Sequence, residues 1–229
     1  MVLSIVKPSA FDVQVLKEVW ANLKKDSCPY HYNFHMHTNC SDGQLSPVTV
    51  MEQAAQIGLK GLAITDHHSV KGYQIAQAWL DEKRSYKPEQ TLPHLWTGVE
   101  VTSDLLGTEV HLLGYGFLPE HPAMSPYLQG DRPSSSDALA VNVIRAFHQA
   151  GGLAVLAHPS RYQRAAEKLI PDAAKLGIDG VEAYYAYGNP KPWIPSVKET
   201  EIALEISQIH QLYNTCGTDT HGKSLLQRI

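Results

Sequence analysis

Apolar and polar residues alternate along this chain with two distinct periods, and the switches between them lay out its elements. From Ser9 to about Lys25, Val13, Leu16, Val19, Trp20 and Leu23 recur three or four apart, predicting a helix with Ser9 and Asp12 set for a capping box. From Tyr30 the period drops to two. Tyr30, Tyr32, Phe34 and Met36 alternate with His31, Asn33, His35 and His37, the pattern of a strand. Ser46-Pro47 is an N-cap followed by proline at the first helical position, and Gly58 closes the helix it opens. A buried strand is predicted over residues 61–65, a helix over 70–84, a loop over 87–90 and strands over 95–101 and 110–115. The Ser- and Pro-rich stretch 119–136 is too long for a simple connection and is expected to be a lid or mobile excursion. A helix over 137–149, strands over 153–157 and 181–185, a helix over 199–213 and a strand over 215–218 complete the pattern. Seven strands mostly separated by helices argue for an α/β fold with a largely parallel sheet.

Length and composition narrow the class. The 229 residues, 43% hydrophobic and 18% charged, suit a soluble globular domain that folds without disulfides. Three cysteines without a CxxC pair indicate neither a disulfide framework nor a thiolate zinc knuckle. The apolar run from Met1 to Pro8 is too short for a signal peptide, and no eighteen apolar residues run together, so a cytoplasmic protein without membrane contact is expected. Twelve histidines beside a net charge of −4 and no basic tract turn attention to metals before nucleic acid.

The metal-competent residues gather near strand ends: His35 and His37, Asp66 and His67, Glu100, His111, His158, and finally Asp219 and His221. In open α/β sheets and β/α barrels ligands and catalytic groups sit at that edge. His35 and His37, two apart on a strand, share a face and can converge on one ion, although alone they also read as a solvated polar pair. Asp42 adds a hard oxygen donor from the following loop, a mixture suited to Zn, Fe or Mn. Glu100 is a carboxylate inside an apolar strand and needs a partner, a cation or a salt bridge. His111 interrupts another apolar strand, and His158 follows the most apolar strand of the chain.

His35-x-His37 with Ser41-Asp42-Gly43, Thr65-Asp66-His67, Gly98-Val99-Glu100, His111, Ala157-His158-Pro159 and Asp219-x-His221 together resemble the PHP family, the polymerase and histidinol phosphatase domain of metal-dependent phosphoesterases. The resemblance spans about residues 30–222. It implies a distorted (β/α)7 barrel over 29–229, preceded by a helical extension over 1–28, with the metals at the C-terminal ends of the strands. Two to three divalent ions of Mn, Fe or Zn are implied: one held by His35, His37, Glu100 and Asp219, a second by Glu100, His111 and His158, a third by Asp42, His67 and His221. Asp66 would orient a ligand or its loop. The implied activity is hydrolysis of a small phosphorylated substrate, a nucleotide or a metabolite phosphomonoester, by hydroxide bridging the metals. Arg161 is placed to clamp the phosphate and His68 to protonate the leaving oxygen.

The family also includes histidinol-phosphate phosphatases and 3′-5′ exonucleases. A non-catalytic metal-binding barrel and a cysteine hydrolase using Cys40 or Cys216 are the readings from other classes. Without a basic stripe, extended nucleic-acid binding is not expected. The chain departs from the family pattern in His68, where relatives often carry Asp, and in the insert domain, absent or reduced to 119–136. Only eight residues follow His221, so the last helix of the barrel is expected to be missing.

Overall fold

The computed structural model describes residues 9–86 and 88–229. The expectations for positions 1–8, and for Lys87 in the loop at 87–90, lie outside the described residues. Helix α1 (Val13–Ala21) is capped by Asp12, whose carboxylate accepts from the N–H groups of Gln14 and Val15. Next come β1 (Tyr32–Asn33), α2 (Pro47–Ile57), β2 (Gly61–Ala63), α3 (Lys71–Tyr86), β3 (His94–Trp96), β4 (Gly98–Leu105) and β5 (Thr108–Tyr115). The second half holds α4 (Ala140–Gln149), β6 (Leu153–Leu156), α5 (Ala166–Lys175), β7 (Gly180–Tyr184), α6 (Val197–His210) and β8 (Tyr213–Cys216).

The strands form two sheets, β1-β2-β3 and β4-β5-β6-β7-β8. The first is parallel, whereas β5 runs antiparallel to both β4 and β6 before parallel pairing resumes. This corrects the expectation of a largely parallel seven-stranded ring in two ways. The strand predicted over 95–101 breaks at Thr97 into β3 and β4, where Thr97 N–H donates to the Ala10 carbonyl and its own carbonyl accepts the Gly116 N–H. Register nevertheless survives the break: Ala63 lies opposite Trp96 and His67 opposite Glu100, each pair 33 residues apart. The return into β5 is a two-residue turn, Leu106 at φ 52° and Gly107 at φ 82°, with Asp104 Oδ1 accepting the Gly107 N–H at 2.6 Å. Two residues at positive φ suit a hairpin and leave no room for a crossover helix.

Between the sheets the ladders give way to single links. Met36 bridges Thr220 and Phe34 N–H donates to the Cys216 carbonyl at one join, and His67 bridges Glu100 at the other. Among the described residues no continuous ladder closes a barrel.

The described part of the predicted extension is built into the core. Trp20 on α1 is buried with its edge against Phe34 and Tyr115. Residues 119–136 are packed rather than detached: Met124 and Tyr127 are buried, and Gly130 N–H donates to the His68 carbonyl at 2.9 Å. Helix α5, absent from the periodicity reading, carries Pro171 inside it, which argues against a helix in sequence alone. Its Leu169, Ile170 and Ala173 still bury one face. Among the described residues no helix is long and apolar enough to cross a membrane.

Candidate metal centre

His35 and His37 follow β1 on extended backbone, and neither is exposed. The alternation seen in sequence separates two buried faces rather than a buried one from a wet one, since Phe34 and Met36 are equally enclosed. Both imidazoles turn toward Glu100, third residue of β4. Glu100 Oε2 lies 3.1 Å from His35 Nε2 and 3.0 Å from His37 Nε2. Asp219 Oδ1 stands 3.4 and 3.3 Å from the same two nitrogens. These four residues offer ligand atoms within 4.8 Å of one another.

On the other side of Glu100, Oε1 faces His111 Nδ1 at 2.8 Å and His158 Nε2 at 3.4 Å. His158 stands where β6 ends, as expected, but His111 enters from mid-hairpin because β5 is antiparallel. A third group forms at the rim, where Asp42 Oδ2 lies 3.2 Å from His221 Nε2 and 3.7 Å from His67 Nε2. His37 stacks between them, its ring centroid 4.7 Å from that of His67 and 4.2 Å from that of His221. All nine residues singled out as ligands therefore meet in one cluster, and His67 reaches both Glu100 and Asp42.

The loop bearing Asp42 is pinned by Asp66. Its carboxylate accepts from Thr38 N–H and the Thr38 hydroxyl, both at 2.7 Å, and from the Ser41 hydroxyl at 2.8 Å. Three participants escaped the sequence reading, one of them Tyr185, whose hydroxyl donates to Asp219 Oδ2 at 2.6 Å. Glu182 on β7 is buried against His35 Nδ1, and Arg228 Nε donates to Asp219 Oδ2 at 2.8 Å. Glu182 carried the same signal as Glu100, a carboxylate in an apolar strand; Arg228 carried none.

Electrostatics set the protonation of the cluster. Burial works against charge on His35 and His37. Glu182, Glu100 and Asp219 nevertheless push His35 well up, and the carboxylates of Asp219 and Glu100 close beside His37 bring it to about 9. Burial would raise Glu100 and Asp219, but the surrounding imidazoles hold both well below the usual carboxylate range. His67 falls to about 4 through burial, so it is a neutral imidazole near pH 7.

Whether such a set fits a cation is tested by its unsatisfied atoms. His37 Nδ1 and Nε2 and Glu100 Oε1 are buried without a hydrogen bond, although carboxylate and imidazole atoms stand close by. Polar atoms packed together at angles that make no hydrogen bond are costly unless a cation occupies their focus.

Arg161 lies beside the cluster with Nη1 donating to Asp219 Oδ2 at 2.9 Å. It lines a groove of about 620 Å³ with Tyr162, Gln163, Arg164 and the hairpin residues 107–109. His68 is buried rather than on the surface, its Nε2 3.2 Å from the Thr102 hydroxyl. Burial and His111 lower it to about 4. Neither the groove at Arg161 nor another of about 630 Å³, walled by Tyr30, Tyr184, Trp193 and Val197, is lined by any of the nine cluster residues; the first adjoins the cluster through Arg161.

A model of the PHP domain matches residues 33–186. The 5′-3′ exoribonuclease Rnm of Salmonella typhimurium is 30% identical over 261 residues, covering 83% of this chain and 85% of that protein. A 3′,5′-nucleoside bisphosphate phosphatase of Chromobacterium violaceum is 33% identical over 100 residues, 44% of this chain and 32% of that protein. Among solved structures, a Bifidobacterium adolescentis protein described as a metal-dependent phosphoesterase superposes with a TM-score of 0.68 at 24% identity, covering 85% of this chain and 89% of that one.

Proposed function

Because the chain belongs to the PHP family and is a metal-dependent phosphoesterase, we propose that it hydrolyses a phosphoester of a small phosphorylated substrate, a nucleotide or a metabolite phosphomonoester. The observation that carries this reading is the buried, unbonded pair of His37 ring nitrogens and Glu100 Oε1 at the centre of the cluster. We assign one metal position to His35, His37, Glu100 and Asp219. A second takes Glu100, His111 and His158 with His67 in reach, and a third takes Asp42, His67 and His221 with His37 alongside. The imidazole–carboxylate mixture suits two or three ions of Mn, Fe or Zn. Such ions supply a water of lowered pKa and neutralise phosphoryl oxygens.

The chain's own side chains do the rest. Arg161, on the groove wall, would turn its guanidinium to a phosphate oxygen as a charge-assisted donor. His68 is neutral near pH 7 and has no imidazolium proton to deliver, so we place it as a hydrogen-bonding wall beside Thr102 in preference to a leaving-group acid. The single links between the sheets support reading the fold as a distorted (β/α)7 barrel with an interrupted ring, the catalytic unit spanning residues 29–229.

One observation favours a second reading within the same chemistry. The groove beside Arg161 and Arg164 has the volume of a nucleotide-sized site, and a related protein bears the name 5′-3′ exoribonuclease. A short 5′-phosphorylated RNA end is therefore the competing substrate. Metal-loaded protein should be assayed on nucleoside monophosphates, a 3′,5′-bisphosphate, histidinol phosphate and short 5′-phosphorylated oligoribonucleotides. Phosphate release from a monomeric ester supports the first reading, nucleotide release from the oligomer alone transfers it to the second, and turnover of none with Mn²⁺, Fe²⁺ or Zn²⁺ supplied rejects both.

A further inference from the structure

Glu182 lies under the cluster but belongs to none of the three groups whose ligand atoms converge. Its side chain is fully enclosed, and its two oxygens lie 3.0 and 3.2 Å from His35 Nδ1. Oε2 also accepts the backbone N–H of His158 at 2.9 Å. One carboxylate thus touches two candidate ligands that follow different strands, β1 and β6. The close fit requires Gly217, since a Cβ there would strike His35 and stand 2.9 Å from Glu182 Oε1. His158 sits at φ 25° and ψ 63°, a left-handed backbone unusual for a side-chain-bearing residue, and its N–H is the group that Glu182 fixes.

An enclosed carboxylate is costly unless its acceptors are used, and here both are. An acceptor beside Nδ1 draws the imidazole proton to that nitrogen and leaves the Nε2 lone pair facing outward. His35 Nε2 is the atom that looks at Glu100 and Asp219.

We propose that Glu182 is a positioning residue: it holds His35 as the Nδ1–H tautomer with Nε2 free for a divalent cation, and fixes the turn that presents His158. This rests on reading the cluster as a metal centre, but not on which ester is cleaved. A Gln at 182 cannot reproduce the arrangement. With its oxygen toward His35, its amide N–H₂ meets the His158 N–H; turned round, it donates to Nδ1 and drives the proton onto Nε2.

The full chain, stripped by chelator, should be titrated with Mn²⁺ against a competing fluorescent chelator, wild type beside Glu182→Gln. The expected result is a 10- to 100-fold weaker dissociation constant at the tightest site, the usual cost of losing an outer partner of a metal-bound imidazole. Long-range ¹H–¹⁵N spectra of Zn²⁺-loaded wild type provide a readout independent of whether the variant folds, and should place a proton on His35 Nδ1 and the metal on Nε2. Affinity within threefold of wild type in a folded variant, or a spectrum with His35 unprotonated or metal-bound at Nδ1, overturns the assignment. If both signatures appear while no ester is turned over, the functional reading fails and this one stands.

Discussion

Asp219 Oδ2 accepts from three donors: the Tyr185 hydroxyl at 2.6 Å, Arg228 Nε at 2.8 Å and Arg161 Nη1 at 2.9 Å. The surplus decides what Arg161 can do. Of the two guanidiniums Arg161 is the more exposed, 39% against 23%, and it can leave Asp219 without stranding the carboxylate. Arg161→Ala should therefore raise KM for a phosphorylated substrate about 10- to 100-fold, the worth of one charge-assisted hydrogen bond at ~1.5–3 kcal/mol. Metal bound per chain should stay at the wild-type value. A KM unchanged within twofold, or metal lost with the arginine, would remove it from the phosphate site. At this scale the sequence was most informative where a residue type is expensive to bury. Glu100 and His111, polar residues inside apolar strands, were legible for that reason, while the other seven were legible through the spaced motifs that carry the family resemblance. Glu182 bore the same mark but stood in a run with no motif around it, and Arg228 reaches Asp219 through a fold-back invisible in any local pattern.

Elements were legible where capping chemistry or period was unambiguous. Helix α2 begins at Pro47 behind Ser46, whose hydroxyl accepts the Thr49 N–H, and ends at Gly58 with φ 82°. Patterns failed where tertiary contacts decide. One apolar run became β3 and β4 because Thr97 between them hydrogen-bonds to Ala10 and Gly116, far away in sequence, and α5 forms around a proline because its apolar face is covered. Helix α4 offers a test of coupling between elements. His148 in its last turn lies 2.7 Å from Asp179 Oδ2, which also accepts the Ala154 N–H at the start of β6. The hydrogen bond to Asp179 raises the His148 pKa, against a smaller lowering by burial and Lys17. A raised folded pKa means the stabilisation is complete below about 6.5, the unfolded value, and disappears as pH climbs through the folded one. His148→Ala should lower Tm by about 1–3 °C at pH 5.5, a figure discounted for the exposure of the pair. The difference should shrink as pH rises through the folded pKa, and a deficit that grows there would contradict the pairing.

Over the whole molecule the cluster sits across the join between the sheets. His35, His37, Asp42 and His67 come from the segments after β1 and β2, while Glu100, His111, His158 and Asp219 come from the five-stranded sheet or its loops. The ladder is discontinuous where these groups meet. Ions held by both sides bind only the folded chain. Mn²⁺ at a hundred times its dissociation constant should then add ~2.7 kcal/mol, or about 5–11 °C in Tm for a domain of this size. Differential scanning calorimetry with and without chelator checks this; a Tm indifferent to Mn²⁺ would mean the cluster binds no ion under those conditions.

The hairpin of β4 and β5 serves two ends of very different tolerance. Glu100 and His111, deep in it, are locked into the cluster, but the tip at Leu106-Gly107 is held by a single aspartate and forms a wall of the groove beside Arg161. Residues added at an exposed tip lengthen the ribbon without shifting its base, because antiparallel pairing simply extends outward. Descendants of this chain could therefore drift toward longer or shorter substrates by insertion and deletion at one turn, leaving the hydrolytic chemistry untouched, so that length at residues 104–109 would be the first place to look when its relatives diverge in what they cleave.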